Sequence, residues 1–261
     1  MTQTLGIEQS EDSSAQKLAE LCWKLLPALP VDQGSLSAPN VMVLTRAQDG
    51  QLEALVSALA KHHPEAGRHY WSVRAWNLLM WQPVLVTLLA TEVMSRPVDL
   101  LQLGQKCQDT VVAGMVLGDE ILPSGVLSRS EMGAYLREVS EVTLTDLGRV
   151  IRINSALARR LLADRVLSTL LRIRPLLAEA SNTRAHSLAE HWLRAAGLKS
   201  ASALMEFELP DRSPALALDR KGCCQHFRRQ DGGLCKTCPR QSKTTRIKRL
   251  QEEWHPDAGA E

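Results

Sequence analysis

Residues Lys221–Arg240 read KGCCQHFRRQDGGLCKTCPR. Four of the six cysteines in the chain fall in this stretch, as an adjacent pair, Cys223 and Cys224, followed by a C-x-x-C, Cys235 and Cys238. A bond between the adjacent pair would join Cα atoms only about 3.8 Å apart, whereas ordinary disulfides span about 4.4–6.8 Å. A redox C-x-x-C at Cys235 and Cys238 would leave the other pair unexplained, and no strand–helix thioredoxin pattern surrounds it. A metal site uses all four. Two intervening residues let the backbone turn so that both thiolates of the C-x-x-C point inward. Neighbouring side chains of a strand face opposite ways, so the backbone must leave extended geometry at Cys223–Cys224, and Gly222 eases that bend. Zinc draws its ligands from C-x₂₋₄-C knuckles and suits an adjacent pair poorly. A [2Fe–2S] cluster, with two irons each taking two thiolates, is a larger target. On the residues alone, iron–sulfur and zinc both stay open.

Outward from this stretch, the charge is uneven. Between Arg220 and Arg249 ten Lys or Arg face one acid, Asp231, a local charge of +9 in a chain whose net charge is only +2, so the rest carries −7. The remaining composition, 44% hydrophobic and 23% charged, is that of an ordinary globular protein with a sizeable core. The N-terminal MTQTLGIEQSEDSSAQ is polar and acidic, unlike a secretory signal. The most apolar segment, Ala75–Met94, is interrupted by Asn77, Gln82, Pro83 and Glu92 and lacks the roughly 18 uninterrupted apolar residues of a membrane span. A cytoplasmic location is expected, where clustered cysteines bind metals or do redox chemistry rather than form structural disulfides.

The periodicities predict a mostly helical α+β protein with a small sheet in its central and C-terminal part and a C-terminal cysteine-rich segment. Residues 1–16 read as a disordered tail, 17–219 as a mainly helical core and substrate region, 220–240 as the cluster-binding segment and 241–261 as a basic tail. Leu18, Leu21, Cys22, Leu25 and Leu26 recur at helical spacing and stop before Pro27. A Gly/Ser/Pro-rich linker spans 33–40, and Val41–Leu44 is too short to assign. Helices are expected over Leu52–His62, Tyr70–Met94, Ser130–Val139, Thr145–Arg174 and Ser181–Ala196, the last stopped by Gly197. Strands are expected over Thr110–Leu122 and Ala215–Leu218, and a terminal helix over Thr244–Trp254. Trp71, Trp76 and Trp81 lie five apart and step about 140° each around a helix, which fits a helix buried on all sides, or tryptophans facing a flat ligand or a membrane surface. Arg149, Arg152, Arg159, Arg160, Arg165, Arg172 and Arg174 form either a solvated basic face or an anion-recognition surface. Cys22 and Cys107 read as ordinary thiols. His62, His63, His186 and His191 read as surface or capping residues.

The pattern Cys223-Cys224-x10-Cys235-x2-Cys238 near a C-terminus resembles that of the FhuF-type ferric-siderophore reductases. The flanks agree: Arg220 and Lys221 before the pair, then Gln225, Phe227 and Arg228, with His226 a departure. The Trp-containing segment from Trp71 to Met94 is similar too. The resemblance implies that the four cysteines bind one [2Fe–2S] cluster and that the protein is an oxidoreductase handing one electron to a ferric siderophore and releasing Fe(II). All-thiolate ligation would favour a low potential, on the order of −400 mV in plant-type clusters. Nearby Arg and Lys would raise it. No G-x-G-x-x-G or G-x-x-x-x-G-K-[ST] occurs, so the electron is expected from a ferredoxin or a flavin-dependent reductase. Arg220, Lys221, Arg228, Arg229 and Lys236 are the candidates for steering such a donor or an anionic siderophore. No nucleic-acid partner and at most peripheral membrane contact are expected. The rival reading is a zinc-ribbon-like nucleic-acid-binding module using the four-cysteine site and the basic tail. A third is a scaffold in which a cluster merely staples the C-terminus.

Overall fold

The computed structural model describes residues 9–46 and 49–252. Among these residues, seven α-helices surround a four-stranded sheet and a separate hairpin. In chain order the elements are α1 (Gln9–Leu25), β1 (Val31–Gln33), β2 (Val41–Met42), α2 (Asp49–His62), α3 (Gly67–Leu88), β3 (Leu103–Gln108), β4 (Val111–Leu117), α4 (Arg129–Val150), α5 (Ser155–Ile173), α6 (Asn182–Ala195), β5 (Ala203–Glu208), β6 (Pro214–Asp219) and α7 (Lys243–Glu252). Helix α1 starts inside the 1–16 segment expected to be a tail, whose residues 1–8 lie outside the described ones. The expected terminal helix is α7, and Trp254 lies outside the described residues.

Helix α3 is the axis of the core. Apolar residues surround it, and most of its side chains from Tyr70 to Leu88 are buried, as a helix apolar all round must be. It packs on α2, α4 and α5 and lays one face on β4. The sheet order is β1-β4-β3-β2, with β1 parallel to β4 and the other pairs antiparallel. Two of these strands, β1 and β2, come from the N-terminal region, and the Gly/Ser/Pro-rich linker joins them, beginning at Gln33, the last residue of β1. The β3–β4 register shifts between Gln105 and Cys107. Beside that irregularity the Val112 carbonyl accepts from Trp81 Nε1 at 2.8 Å and Gln82 Nε2 at 3.3 Å. Gln105 Nε2 returns a bond to the Leu79 carbonyl at 3.0 Å. These three side-chain donors, buried at Gln82 and Gln105 and half-buried at Trp81, seam helix to sheet, each on a backbone carbonyl.

The expected helix over Thr145–Arg174 is two helices. Helix α4 begins on a capping box, Ser128 with Glu131, and runs through to Val150; α5 restarts on the Asn154 side chain, which accepts from Leu157 N at 2.9 Å. Each cap satisfies amides that the helix leaves orphaned. Ser181 caps α6, and Gly197 with φ +65° ends it as expected. Helices α4 and α6 touch closely enough that a Cβ on Gly133 would lie 2.4 Å from Ala195 Cβ. The β5–β6 hairpin rests on α5 and α6 and delivers the chain to the cysteines. No helix among the described residues is long and apolar enough to cross a membrane.

Candidate functional site

At the end of β6 the chain passes through Arg220, Lys221 and Gly222 over α5. A Cβ on Gly222 would meet Leu161 Cδ2 at 3.2 Å and Arg160 Cβ and Asp164 Oδ2 at 3.3 Å, so the glycine admits a close approach to α5. Gln225, just past the cysteine pair, takes a left-handed conformation with φ +58°. The bend aims the amides of Gln225 and His226 at the sulfurs of Cys223 and Cys224, respectively. A short 3₁₀ turn, His226–Arg228, follows. The return limb is pinned beneath it: a Cβ on Gly232 would lie 2.0 Å from the His226 carbonyl oxygen. The C-x-x-C closes as a turn, Cys238 N donating to Cys235 O at 3.0 Å, and Gln241 Nε2 binds the same carbonyl at 2.8 Å.

Helix α7 clasps this loop. Arg246 is buried and donates to Asp219 Oδ1 at 2.8 Å, while Arg249 Nη1 reaches Leu234 O at 2.9 Å and Gln241 Oε1 at 3.0 Å. Gln230 N donates to Glu65 Oε1 at 3.1 Å, tying the loop to the turn before α3. Much of the basic charge expected to steer partners is therefore spent internally. Lys221 Nζ binds Ser200 O at 2.9 Å, Arg229 pairs with Asp231, and Arg228 Nε binds Gln225 Oε1 at 2.9 Å. Arg240 lies over the Phe227 ring, 4.5 Å from its centre. Lys236 is exposed. Arg220, also one of the five steering candidates, reaches a sulfur, its Nη1 standing 4.0 Å from Cys235 Sγ.

The four cysteines are brought together. Cys223, Cys224 and Cys235 are half-buried and Cys238 is buried. Cys224 and Cys235 interact through their sulfurs, which lowers the pKa of Cys224 and raises that of Cys235; the His226 amide and the Arg220 charge lower Cys224 further. Cys223 feels both Cys224 and Cys238, but desolvation is the larger effect and raises it. Thus each of the four sulfurs lies within electrostatic range of at least one other. Among the described residues no three Cys, His, Asp or Glu side chains are gathered tightly enough around one point to hold a single ion. A site that divides two thiolates to each of two metals does not require that. Mutual proximity, backbone N–H groups on the sulfurs and a nearby guanidinium fit a sulfur-ligated, electron-accepting centre.

Cys224 and Cys235, with His226, line a recess of about 170 Å³ whose other walls include Tyr70, Arg74 and Asp164. Arg165, Ser168 and Arg220 are shared between this recess and a larger cavity of about 580 Å³ reaching Leu25, Trp81 and Arg172. The expected tryptophans divide. Trp81 lines the cavity, whereas Trp76 is buried and bonds Ala158 O at 3.0 Å, and Trp71 bonds His63 O at 2.8 Å. Of the expected arginines, Arg165 and Arg172 face the cavity. Arg149 pairs with Asp146, Arg159 binds Gly197 O, Arg174 binds Asn182, Arg160 packs by Gly222, and Arg152 lines a different hollow. Cys22 is an inert core thiol, pushed up to about 12 by burial, and burial raises Cys107 as well. His62 and His186 pair with Asp109 and Glu206 at the surface.

These features define a class: a sulfur-ligated redox centre carried on a clasped C-terminal loop at the end of a ligand-sized cleft. Residues 220–240 match the family model described as the FhuF 2Fe-2S C-terminal domain. That segment is thus of the FhuF type, and the domain implies a [2Fe–2S] cluster as cofactor. No solved structure matches the chain.

Proposed function

We propose that the protein is a ferric-siderophore reductase, taking single electrons from an external donor and passing each to one siderophore-bound Fe(III), which leaves as Fe(II). Cys223, Cys224, Cys235 and Cys238 hold the cluster in this reading. When bound, the cluster supplies a one-electron carrier at low potential. Arg220 and the amides of residues 225 and 226 put positive charge at the sulfurs and so favour the more negative, reduced state. The Fe(III) is gripped by hard oxygen donors, which hold Fe(II) far more weakly, so one electron and close approach are enough for release.

The observation that carries this reading is the continuity of the cleft. A cavity of about 580 Å³ falls in the range of pockets for drug-sized ligands, about 300–1,000 Å³, and through Arg165, Ser168 and Arg220 it adjoins the recess at Cys224 and Cys235. A scaffold whose cluster only staples the C-terminus has no use for such a space. The donor, an acidic ferredoxin or a flavin-dependent reductase, docks on the exposed basic residues around the C-x-x-C, Lys236 within it and Arg240 and Lys243 just after it. The work takes place in the cytoplasm, where Fe(II) is needed.

The test is anaerobic purification with iron, zinc and sulfide analysis and an absorption spectrum, followed by mixing the reduced protein with ferric siderophores and an Fe(II)-trapping dye. Equimolar iron and sulfide and rapid trapping of Fe(II) are expected. A colourless zinc protein, or a coloured one that reduces no ferric siderophore, ends the proposal.

A further inference from the structure

The cleft has a charge pattern of its own. Arg165, Ser168, Thr169 and Arg172 recur at i, i+3, i+4 and i+7 on α5 and line one wall of the larger cavity. Arg220 joins them from the segment after β6, and Arg74 projects from α3 into the adjoining recess. Arg165 is surrounded by like charge: burial and the fields of Arg220, Arg172 and Arg74 push its pKa down to about 10, with Asp164 the carboxylate working against them. Asp164 is itself engaged, accepting from Ser202 Oγ at 2.5 Å. Its other oxygen faces the Lys221 and Gly222 amides without reaching hydrogen-bond geometry to either. Arg220 Nε is buried with no hydrogen-bond partner among the described residues. Four guanidinium groups facing one carboxylate is an arrangement that an anion completes.

Most of the remaining lining is apolar: Leu25, Leu26, Leu29, Trp81 and Leu85. A small inorganic anion would leave these residues unused. A ligand that satisfies the whole lining carries both carboxylates and hydrocarbon. Planar guanidinium forks suit carboxylates, which they bind through two parallel hydrogen bonds.

We propose that this cleft selects an anionic, carboxylate-bearing ferric chelate, with Arg165, Arg172 and Arg220 as the charge-reading residues. This rests on the reductase reading and narrows its substrate class: a chelate with net positive charge is disfavoured by the same arginines.

Gallium(III) replaces iron(III) in such chelates and is not reduced, so binding can be measured apart from electron transfer. The holoprotein is titrated calorimetrically with the gallium complex of a citrate-based dihydroxamate, which is anionic, and with that of a linear trihydroxamate bearing a free amine, which is cationic. At least about tenfold tighter binding of the anionic complex is expected, the size of one charge-assisted hydrogen bond. Arg172→Gln, at an exposed position, should weaken that binding by about tenfold, and Arg149→Gln, on the surface of α4, should leave it unchanged. Equal affinity for the two complexes, or an Arg172→Gln variant that binds as tightly as the parent, overturns the inference. Fe(II) trapping with the iron chelates is scored separately. Reduction of both chelates without charge preference overturns the substrate class and keeps the reductase. Charge-selective binding with no reduction of either keeps the anion site and removes the reductase.

Discussion

Arg246 on α7 donates to Asp219 at the end of β6, closing the cysteine loop between two elements 27 residues apart. The guanidinium is buried and the carboxylate half-exposed, so a hydrogen bond between charged groups here contributes about 1.5–3 kcal/mol, toward the lower figure because Asp219 is solvated. Arg246→Leu should therefore loosen α7 without unfolding the helical core. The expected outcome is nearly unchanged far-ultraviolet dichroism with faster loss of iron to a chelator. Iron retention equal to that of the parent would show that the clasp does not hold the loop.

The close approach of Gly232 to the His226 carbonyl makes a second, sharper prediction. A Cβ at 2.0 Å from a backbone oxygen cannot be absorbed by a side-chain rotation, so Gly232→Ala must separate the two limbs that bring the cysteine pairs together. Overpacking of this kind costs about 1–3 kcal/mol. Because the strain falls on the loop, the variant should fold but take up less than half the iron of the parent on reconstitution. Gly233→Ala, where a Cβ meets nothing within 4 Å, is the matched control and should load normally.

What the sequence disclosed follows from the range of the signals. The four cysteines are legible because metal ligation imposes local spacing, and α6 because Gly197 and a periodic apolar face mark it. The break between α4 and α5 is missed because arginines run through it. Yet S-x-x-E at Ser128–Glu131 and the Asn154 cap both stand in the sequence and mark the two true starts. Strand β3, LGQKCQ, has little alternation, and β1 and β2 are too short to read. The arginine stripe on α5 is legible as a stripe, with Arg165 and Arg172 seven residues apart. Its meeting with Arg74 and Arg220, and the Arg246–Asp219 clasp, are tertiary juxtapositions that no local pattern announces.

Arg220 Nη1 stands 4.0 Å from Cys235 Sγ, and its charge also acts on Cys224. If the cluster is held by these sulfurs, Arg220→Gln removes a positive charge from its edge, and the reduced state loses more than the oxidised one. The potential should move negative with iron and sulfide content unchanged, as read by an anaerobic redox titration followed by electron paramagnetic resonance. Arg220→Lys should move it less. A potential identical in all three proteins would mean that the guanidinium does not tune the centre.

Glu92 supports the fold from the far end of α3. It sits in a π turn, Leu89–Val93, that continues the helix, and such a bulge re-aims side chains relative to a regular helix. The Glu92 side chain is 3% exposed; it pairs with Arg129 through both oxygens and accepts from Trp192 Nε1 at 2.7 Å. One carboxylate thus joins α3, the first turn of α4 and α6. Removing it leaves the fully buried Trp192 indole N–H without a partner, while the partly exposed Arg129 guanidinium turns to water, which together costs about 1–3 kcal/mol. Glu92→Gln keeps one acceptor and the shape, and should cost roughly half as much. Urea unfolding should place the midpoint of Glu92→Ala well below that of Glu92→Gln, and both below the parent, with iron content per folded molecule unaltered. Identical midpoints for the alanine variant and the parent would show that the network contributes no net stability.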